Sequence, residues 1–335
     1  MKFLITGTAG FIGFHVAKSL LDSGEKVIGV DNFNDYYDVV LKENRSKILR
    51  ENSNFIELRN SIENLNFIRE VFETYEPDFV IHLAAQAGVR FSIEKPEAYI
   101  QSNIVGTFKL LEAAKLIQPK HLLLASTSSA YGANLEMPYV ENQKTDHQVS
   151  IYAATKKSME VLSHSYSHLY SMPITVFRFF TVYGPYGRPD MAPHKFTSKI
   201  LANEPIDVYN HGKMERDFTY VEDLVKAILN LAYCIPDSKI SSNLDYSCSP
   251  VAPWRVINIG NANPIKLLDF ISAIEQALGI KAKKNYMPMQ PGDVVSTWAN
   301  VSLLKELTGY VPNTKLSDGI SKFILWYRSY YGNNY

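Results

Sequence analysis

Three glycines at three-residue spacing near the start of the chain constrain its fold most strongly. Gly7, Gly10 and Gly13 follow a short apolar run, residues 3–5, which predicts a buried strand. From residue 11 onward the apolar positions take helical spacing, and Gly24 is placed to end that helix. A strand, a glycine turn and a helix N-terminus together favour a pyrophosphate, because unpaired backbone N–H groups and the helix dipole face the anion.

An acidic residue at the end of the next strand extends this pattern. Residues 26–30 predict a second strand, and Asp31 follows it, 18 residues after Gly13. A carboxylate there can accept hydrogen bonds from a ribose 2′-hydroxyl and would repel the 2′-phosphate of NADP. Three spaced glycines alone often form only a tight structural turn, but this context favours a dinucleotide, and NAD is the predicted cofactor. The spacing resembles that of short-chain dehydrogenases of the extended type.

Composition limits the partners and the compartment. The 335 residues carry no net charge and are 46% hydrophobic, which is typical of a globular protein and argues against nucleic acid as a partner. Cys234 and Cys248 lie far apart without metal-ligand spacing, so we expect no metal site and a reducing, cytoplasmic compartment. The apolar runs are shorter than the 18 residues of a membrane span, and the N-terminus does not resemble a signal peptide.

Apolar runs alternate with helical patterns along the first two thirds of the chain. This alternation predicts an α/β fold with a Rossmann-type, doubly wound parallel sheet. We expect an NAD-binding domain over residues 1–180, with a returning strand near 255–260, and a smaller mixed substrate domain over 181–335. The predicted strands after the second are 55–58, 79–83, 121–125, 174–179 and 256–259. Polar or small residues follow several of these strands, and ligands bind parallel sheets at the carboxyl ends of the strands. Any one of these segments, taken alone, could equally be a solvated turn.

Two local patterns describe the second half of the chain. Thr219 and Glu222 have capping-box spacing and predict a helix that begins there and runs to about Tyr233. Residues 236–253 are rich in Ser, Asn, Asp and Pro and predict a surface loop.

A tyrosine and a lysine four residues apart predict the catalytic centre. Tyr152 and Lys156 fall on a predicted helix that runs to about Tyr170, so they share one helix face. An ammonium near a phenol, together with a positive nicotinamide ring, would lower the phenol pKa and supply a base at neutral pH. Such a pair is common by chance on solvated helix faces, but here it follows a dinucleotide pattern and a Ser/Thr-rich strand end.

Together these motifs resemble the nucleotide-sugar epimerases and dehydratases of the extended short-chain dehydrogenase family. The resemblance implies cofactor contacts at Gly7, Gly10, Phe11, Ile12, Gly13, Asp31, Asn32, Ser61, Ile62, Leu83, Ala84, Ala85, Tyr152 and Lys156. Ser61 stands where relatives carry an aspartate that meets the adenine amine, so a carboxylate is missing there. Thr127 aligns with the residue that hydrogen-bonds the sugar O4. Ser128 and Ser129 beside it replace the acids that expel a hydroxyl in dehydratases, so dehydration is not expected.

The finer match is to the UDP-glucuronate 4-epimerases of that family. The segments Asn32-Phe-Asn-Asp-Tyr-Tyr-Asp38 and Arg178-Phe-Phe-Thr-Val-Tyr-Gly-Pro-Tyr-Gly-Arg-Pro-Asp-Met-Ala192 match closely, and Gly187-Arg-Pro-Asp-Met191 is the most specific part of the match. The match implies that Thr181 and Arg188 hold a sugar carboxylate. It also implies that Arg216 and Asp293 hold the UDP moiety and that Arg90 and Ser128 lie near the substrate. A guanidinium pairs well with a carboxylate, although an arginine at 188 could instead anchor a loop.

Several alternatives stay open at this point. A UDP-glucose 4-epimerase would not require a carboxylate. A UDP-glucuronate decarboxylase would release a pentose product, but such relatives tend to carry an acid where Ser129 stands. A catalytically dead NAD-sensing protein tends to lose the Tyr or the Lys, and both are present here. The family also implies a homodimer through helices near 96–116 and 152–170, where the apolar positions could equally be core.

Overall fold

The structure is a computed structural model that describes residues 1–237, 247–290 and 294–332. The strands in chain order are β1 (Lys2–Thr6), β2 (Lys26–Asp31), β3 (Phe55–Arg59), β4 (Phe79–His82), β5 (His121–Thr127), β6 (Ile174–Phe179), β7 (Thr181–Tyr183), β8 (Ile206–Val208), β9 (Glu215–Tyr220), β10 (Trp254–Ile259), β11 (Pro264–Lys266), β12 (Lys284–Tyr286) and β13 (Ser296–Thr297). The α-helices are α1 (Phe11–Asp22), α2 (Val39–Arg50), α3 (Leu65–Tyr75), α4 (Phe91–Glu94), α5 (Pro96–Tyr99), α6 (Thr107–Ile117), α7 (Ile151–Tyr170), α8 (Ala192–Leu201), α9 (Val221–Tyr233), α10 (Leu267–Leu278), α11 (Ser302–Thr308) and α12 (Leu316–Tyr331).

A seven-stranded parallel sheet forms the larger part of the molecule. Its order is β10-β6-β5-β4-β1-β2-β3, and every neighbouring pair is parallel. This is the predicted Rossmann-type sheet, and β10 is the predicted returning strand. The strand order reverses between β1 and β4, so the connections that follow these strands leave toward opposite sides and open a crevice there.

Burial of the sheet on both faces explains its apolar runs. In β1, Phe3 and Ile5 belong to one buried cluster together with Phe14 of α1. Leu4, which points to the opposite face, belongs to a second cluster with Leu122 of β5. A strand covered on both faces needs apolar residues at every position, which is why these strands read as continuous runs.

The second half of the chain adds a smaller sheet, which gathers its strands at the carboxyl end of the large sheet. In it, β9 pairs with β7 and β13 in parallel and with β11 antiparallel, while β8 pairs with β12 separately. Asp217 of β9 ties this sheet to the loop after β10, because its carboxylate accepts backbone N–H bonds from Asn261 at 2.7 Å and Ala262 at 3.0 Å. The boundary near residue 180 remains a prediction.

Two predictions about the second half of the chain are not confirmed. One is wrong, and the other falls partly on residues outside the described ranges. The capping box at Thr219 is wrong: Thr219 belongs to β9, its hydroxyl points to Asp217, and Tyr220 caps α9 without a side-chain bond. Residues 238–246 of the predicted loop over 236–253 lie outside the described ranges. Within those ranges, no helix combines the length and apolarity needed to cross a bilayer.

Candidate active site

The glycine turn after β1 has no room for side chains. Gly7 has φ of +82°, and a methyl group on it would lie 2.8 Å from the Ala84 nitrogen. A methyl group on Gly13 would lie 2.0 Å from the Gly7 carbonyl oxygen. Gly10 caps α1 without a side-chain hydrogen bond, so the first backbone N–H groups of the helix are offered to a ligand. This cradle fits the pyrophosphate of a dinucleotide.

Asp31, at the end of β2, is bonded to the same turn. Its carboxylate accepts hydrogen bonds from the Ala9 N–H at 3.0 Å and from the Phe33 N–H at 2.8 Å. Burial raises the pKa of the Asp31 carboxyl, while these N–H groups and the Lys42 charge lower it. A carboxylate has further lone pairs, so the predicted ribose contact is sterically and chemically compatible with these bonds.

Beyond Asp31 lies the region predicted to meet adenine. Asn32 and Ile62 line the cleft here, whereas Ser61 is not among the lining residues. The Ser61 hydroxyl donates to the Glu63 carboxylate, and the Asn32 amide donates to the Ser61 oxygen at 3.3 Å. Ser61 therefore supports the cleft wall through Asn32, and its own contact with a cofactor stays a prediction.

A cleft of about 800 Å³ runs along the carboxyl ends of the large sheet to the smaller sheet. It brings together most of the residues that the sequence singled out. These are Gly7, Gly10, Phe11, Ile12, Gly13, Asp31, Asn32, Ile62, Leu83, Ala84, Ala85, Arg90, Thr127, Ser128, Ser129, Tyr152, Lys156, Thr181, Arg188 and Arg216. Asp293 lies outside the described residues.

Helix α7 carries Tyr152 and Lys156 in its first two turns. Ser150 caps the helix by accepting a bond from the Ala153 N–H at 3.1 Å. Lys156 is 4% exposed and donates to the Ala125 carbonyl of β5 at 2.7 Å. Burial lowers the pKa of the Lys156 ammonium to about 8. The lysine is therefore fixed between α7 and β5 beside the cleft.

The folded structure raises the pKa of Tyr152, whereas the sequence argument predicted that it would be lowered. Burial raises it, and a hydrogen bond with Thr127 and the charge of Arg188 act in the other direction. The predicted lowering by Lys156 does not appear among these causes, and the Lys156 ammonium is bonded to the Ala125 carbonyl instead. The protein alone thus holds Tyr152 as a protonated phenol, so a phenolate needs the additional positive charge that the sequence argument assigned to a nicotinamide ring.

Thr127, Ser128 and Ser129 form the opposite wall, at the end of β5. The Ser129 N–H donates to the Thr127 hydroxyl oxygen at 3.2 Å and begins a short 3₁₀ turn, Ser128–Tyr131. This turn presents three hydroxyl groups, which can donate and accept hydrogen bonds but cannot act as acids near neutral pH. The wall suits the binding of sugar hydroxyls rather than the expulsion of one.

Arg188 joins the site from the loop after β7. Its guanidinium donates to the Asp190 carboxylate from Nε at 3.0 Å and from Nη2 at 2.5 Å. The Tyr36 hydroxyl donates to the same carboxylate at 3.1 Å. The side chain of Arg188 remains 20% exposed and lines the cleft, so a cation is available beside Tyr152.

Arg90 and Arg216 lie on the side of the smaller sheet. The Arg90 guanidinium stands 4.9 Å from the ring centroid of Tyr209, in cation–π geometry. Arg216 donates to the carbonyl oxygens of Val294 at 2.5 Å and Val295 at 3.0 Å. Both arginines line the cleft, far enough from the glycine turn to hold a different part of a ligand.

Sequence reasoning missed Arg45, which is fully buried below the glycine turn. It donates to the Ala9 carbonyl at 2.7 Å, the Tyr37 hydroxyl at 2.8 Å and the Tyr186 carbonyl at 2.6 Å. Arg45 thereby connects the turn to the loop that carries Arg188. The sequence does contain a signal for this residue. Arg45 lies four positions after Leu41 and four before Leu49, so it shares the buried face of α2 with them.

Comparison with known families agrees with this geometry. The sequence model of the family described as GDP-mannose 4,6 dehydratase matches residues 4–323. The chain belongs to that family of extended short-chain dehydrogenases/reductases. The family is described by a dehydratase, but the wall at the end of β5 in this chain carries hydroxyl groups and no carboxylic acid, at Thr127, Ser128 and Ser129.

Curated relatives of this family member match over nearly its whole length. A probable UDP-glucuronate 4-epimerase of Rhizobium meliloti is 49% identical, over 99% of this chain and 98% of the relative. UDP-glucuronate 4-epimerase 4 of Arabidopsis thaliana is 44% identical, over 99% of this chain and 76% of the relative.

Solved structures in the family superpose closely. UDP-glucuronic acid 4-epimerase from Bacillus cereus, in complex with UDP-glucuronic acid and NAD, has a TM-score of 0.87 and 34% identity, over 98% of this chain and all of that chain. A tyrosine-to-phenylalanine variant of that enzyme, with a 4-fluoro substrate analogue and NAD, has a TM-score of 0.88. The UDP-glucose 4-epimerase of Thermotoga maritima is more distant, at 28% identity and a TM-score of 0.83 over 98% of this chain and 99% of that one.

Proposed function

We propose that this protein is an NAD-dependent isomerase that inverts C4 of UDP-glucuronate to give UDP-galacturonate. The observation that carries the proposal is the position of Arg188, a partly exposed guanidinium in the same cleft as Tyr152 and the glycine cradle. The names of the R. meliloti, A. thaliana and B. cereus relatives support the same substrate.

NAD fits the nucleotide end of the cleft. When bound, it accepts a hydride from C4 of the sugar and returns it. The backbone around Gly7, Gly10 and Gly13 would hold its pyrophosphate, since only bare backbone fits there. Asp31 would accept the ribose 2′-hydroxyl and repel an additional phosphate, which selects NAD over NADP. Because each turnover regenerates the cofactor, we expect it to stay bound during purification.

Tyr152 performs the proton transfer at the sugar O4. Its phenolate oxygen takes the O4 proton as the C4–H bond breaks, and it returns that proton when the hydride comes back to C4. Thr127, which is hydrogen-bonded to Tyr152, holds the O4 oxygen in line. The Arg188 guanidinium supplies positive charge that favours the phenolate, and the nicotinamide ring of bound NAD would add to it.

The carboxylate of glucuronate needs its own binding group. Oxidation at C4 makes a β-keto acid, which loses carbon dioxide fastest when the C5–carboxylate bond aligns with the carbonyl π system. Thr181 and Arg188 fix the carboxylate away from that alignment through hydrogen bonds of defined direction. Arg216 and Asp293 hold the UDP portion and Arg90 lies near the substrate, so the 4-keto sugar can turn about its diphosphate tether and present its other face.

The test is incubation of the purified protein with UDP-glucuronate and no added cofactor, with products resolved by proton NMR. We expect UDP-galacturonate. A pentose product would mean that the keto acid is not protected and would identify a decarboxylase. No change with UDP-glucuronate after addition of NAD, but turnover of UDP-glucose, would contradict the uronate substrate.

We also propose a homodimer that forms through α6 and α7. This face exposes several large apolar side chains, with Val161 at 57% and Leu169 at 69% exposure, next to Phe108. Association of two copies would bury these side chains, which is the usual reason for such a patch on a folded domain.

We place the protein in the cytoplasm. Its two cysteines, Cys234 and Cys248, do not form a disulfide in the described part of the chain, as expected in a reducing compartment. Cell fractionation with an antibody against the protein tests this location.

A further inference from the structure

Two segments that the sequence analysis singled out, residues 32–38 and 178–192, meet at Arg188 through Tyr36 and Asp190, to which no role was assigned. Tyr36 comes from the loop before α2, and Asp190 follows Arg188 by two residues. The Tyr36 hydroxyl donates to Asp190 Oδ2 at 3.1 Å across 154 residues of sequence. Asp190 in turn accepts from two nitrogens of Arg188 at 3.0 and 2.5 Å. The three side chains therefore form a chain of hydrogen bonds from the cofactor domain to the substrate loop.

The chain of bonds fixes the plane and the direction of the Arg188 guanidinium. An arginine carries five N–H donors in a rigid fork, and Asp190 takes two of them. Three donors remain for a ligand, and Arg188 lines the cleft. Since the two bonds to Asp190 use both Nε and Nη2, the planar guanidinium cannot turn about the Cδ–Nε bond without breaking the Nη2 bond.

The charges of the cluster keep it assembled at neutral pH. Burial raises the pKa of Asp190, but the Arg188 charge and the hydrogen bonds from Arg188 and Tyr36 together outweigh burial and hold the pKa below the ordinary value, so the carboxylate stays ionised. Burial and the Asp190 charge raise the pKa of Tyr36 to about 12, so Tyr36 stays a donor. The guanidinium is charged throughout.

Gly88 lets a third segment close over this cluster. It has φ of +105°, and a methyl group on it would lie 2.7 Å from the Tyr36 hydroxyl and 3.8 Å from Arg188 Nη2. The loop between β4 and α4 thus passes directly against the Tyr36 end of the cluster. Arg188 is also close enough to Tyr152 for its charge to favour the phenolate, which places the cluster beside the reacting centre.

We propose that Asp190 and Tyr36 are positioning residues that aim Arg188 at the carboxylate of the substrate and so prevent its loss as carbon dioxide. This inference rests on the proposed function, because it assumes a uronate that is oxidised at C4. Asp190 does not touch the substrate; it acts by fixing the donors that do.

The side reaction gives a direct readout of this positioning. In the 4-keto intermediate, heterolysis of the C5–carboxylate bond releases carbon dioxide and leaves the electron pair in an enolate. The enolate takes a proton at C5, and return of the hydride then gives a UDP-pentose. A loosely held carboxylate visits the aligned geometry more often, so the share of pentose among the products measures how well Arg188 is aimed.

The experiment compares Asp190→Asn and Tyr36→Phe with the wild-type protein. Affinities for UDP and for UDP-glucuronate are measured separately by calorimetry on the purified holoenzyme, and the pentose share is measured by proton NMR. Asp22→Asn is the matched control, because Asp22 forms only an exposed pair with Lys18 on α1. Thermal melting of each variant checks that it is folded.

For Asp190→Asn we expect UDP-glucuronate affinity to fall by roughly tenfold, since a charge-assisted bidentate contact is lost. UDP affinity should change less than about twofold, and a pentose product should appear. Tyr36→Phe should shift both quantities in the same direction by a smaller factor, and it decides the question if Asp190→Asn does not fold. Asp22→Asn should match the wild type.

Three results would overturn the inference. Equal loss of affinity for UDP and UDP-glucuronate would mean that Asp190 only stabilises the fold. Tighter binding of UDP-glucuronate by Asp190→Asn would mean that Asp190 competes with the substrate for Arg188. Unchanged affinity and product share in both variants would mean that Arg188 is aimed by other groups. If the wild type itself makes no UDP-galacturonate, the proposed function fails first, independently of any variant.

Discussion

At the scale of single residues, the proposed carboxylate site depends on the planar guanidinium of Arg188. A lysine could match its charge but not its parallel N–H donors. Arg188→Lys should lower kcat/KM for UDP-glucuronate by roughly 10- to 100-fold, because bidentate pairing is lost. The amount of NAD that co-purifies should not change, since the Arg188 guanidinium is bonded to Asp190 and not to the glycine turn. Steady-state kinetics and cofactor absorbance measure the two quantities.

Arg50→Lys is the control for that substitution, because Arg50 is half exposed and lies 3.9 Å from Glu57 on the surface. It should behave as the wild type. Wild-type kinetics for Arg188→Lys and also for Arg188→Ala would contradict the assignment of the carboxylate site.

In the proposed site, Lys156 is needed for activity, but its buried ammonium lowers the stability of the folded protein. Burial lowers the pKa of its ammonium to about 8, below the unfolded value, so the charged form is destabilising in the folded state. The unfolded chain binds more protons between pH 8 and 10.5, so this penalty is present in full below pH 8 and disappears as the pH rises. It is on the order of 3 kcal/mol.

Lys156→Met should therefore abolish turnover without lowering the melting temperature at pH 7. The difference in stability between the variant and the wild type should shrink as the pH rises from 8 to 10.5. A variant that melts well below the wild type at pH 7 would show that the bond from Lys156 to the Ala125 carbonyl stabilises the fold by more than burial of the charge costs.

At the scale of elements, a buried ion pair connects α7 to β6 beneath the catalytic residues. Glu160 accepts bonds from Arg178 at 3.0 and 2.8 Å and from the Ser126 hydroxyl at 2.6 Å. The two charged side chains are 1% and 2% exposed. Burial raises the pKa of Glu160, but Arg178, the Lys157 charge and the Ser126 hydrogen bond together outweigh burial and lower it. The cluster therefore stabilises the fold above about pH 4.5 and loses this effect as the pH falls.

Glu160→Gln should destabilise the protein by about 3–5 kcal/mol, because it leaves the Arg178 guanidinium buried without a counter-charge. Urea denaturation measures the change. Lys157→Met is the control: Lys157 pairs with the same Glu160 at 3.2 Å but is 26% exposed, so its loss should cost less than about 1 kcal/mol. Equal effects of the two variants would contradict the role assigned to burial.

The elements that could be predicted from the sequence are those set by local pattern. The strands of the large sheet were found because burial on both faces demands continuous apolar runs, and α7 was predicted to its last residue, Tyr170. The start of α9 was wrong because Thr219 is bonded to Asp217 within β9, a contact that spacing does not reveal. The π-helical stretch Ile100–Gly106 has no local signal either.

The residues of the candidate site also fall into two groups, those that a local sequence motif predicts and those that only long-range packing brings together. Gly7, Tyr152 and Lys156 belong to short motifs whose spacing carries the chemistry. Arg45 and the contact of Tyr36 with Asp190 depend on packing between distant segments, so the sequence alone does not place them. The direction of the Tyr152 pKa shift was missed for a similar reason, since it depends on how deeply the folded chain buries the phenol.

At the scale of the whole molecule, the proposed dimer should respond to charge on its apolar face. Leu169→Glu should convert the protein to a monomer, because an exposed leucine on α7 would become a carboxylate buried in the interface. Sedimentation equilibrium measures the mass. Leu135→Glu, at a position that is 91% exposed, is the control and should leave the assembly unchanged. A wild type that is already monomeric at micromolar concentration would contradict the dimer.

The measurement that tests the central claim most directly uses UDP-glucuronate with deuterium in place of hydrogen at C4. The whole cleft is organised so that Tyr152 moves only the O4 proton while the hydride leaves C4 and returns to the same carbon. We therefore predict UDP-galacturonate that retains deuterium at C4 in ordinary water, observed by proton and deuterium NMR. Exchange of the C4 label with solvent, or its appearance at C5, would contradict a mechanism by oxidation and reduction at C4.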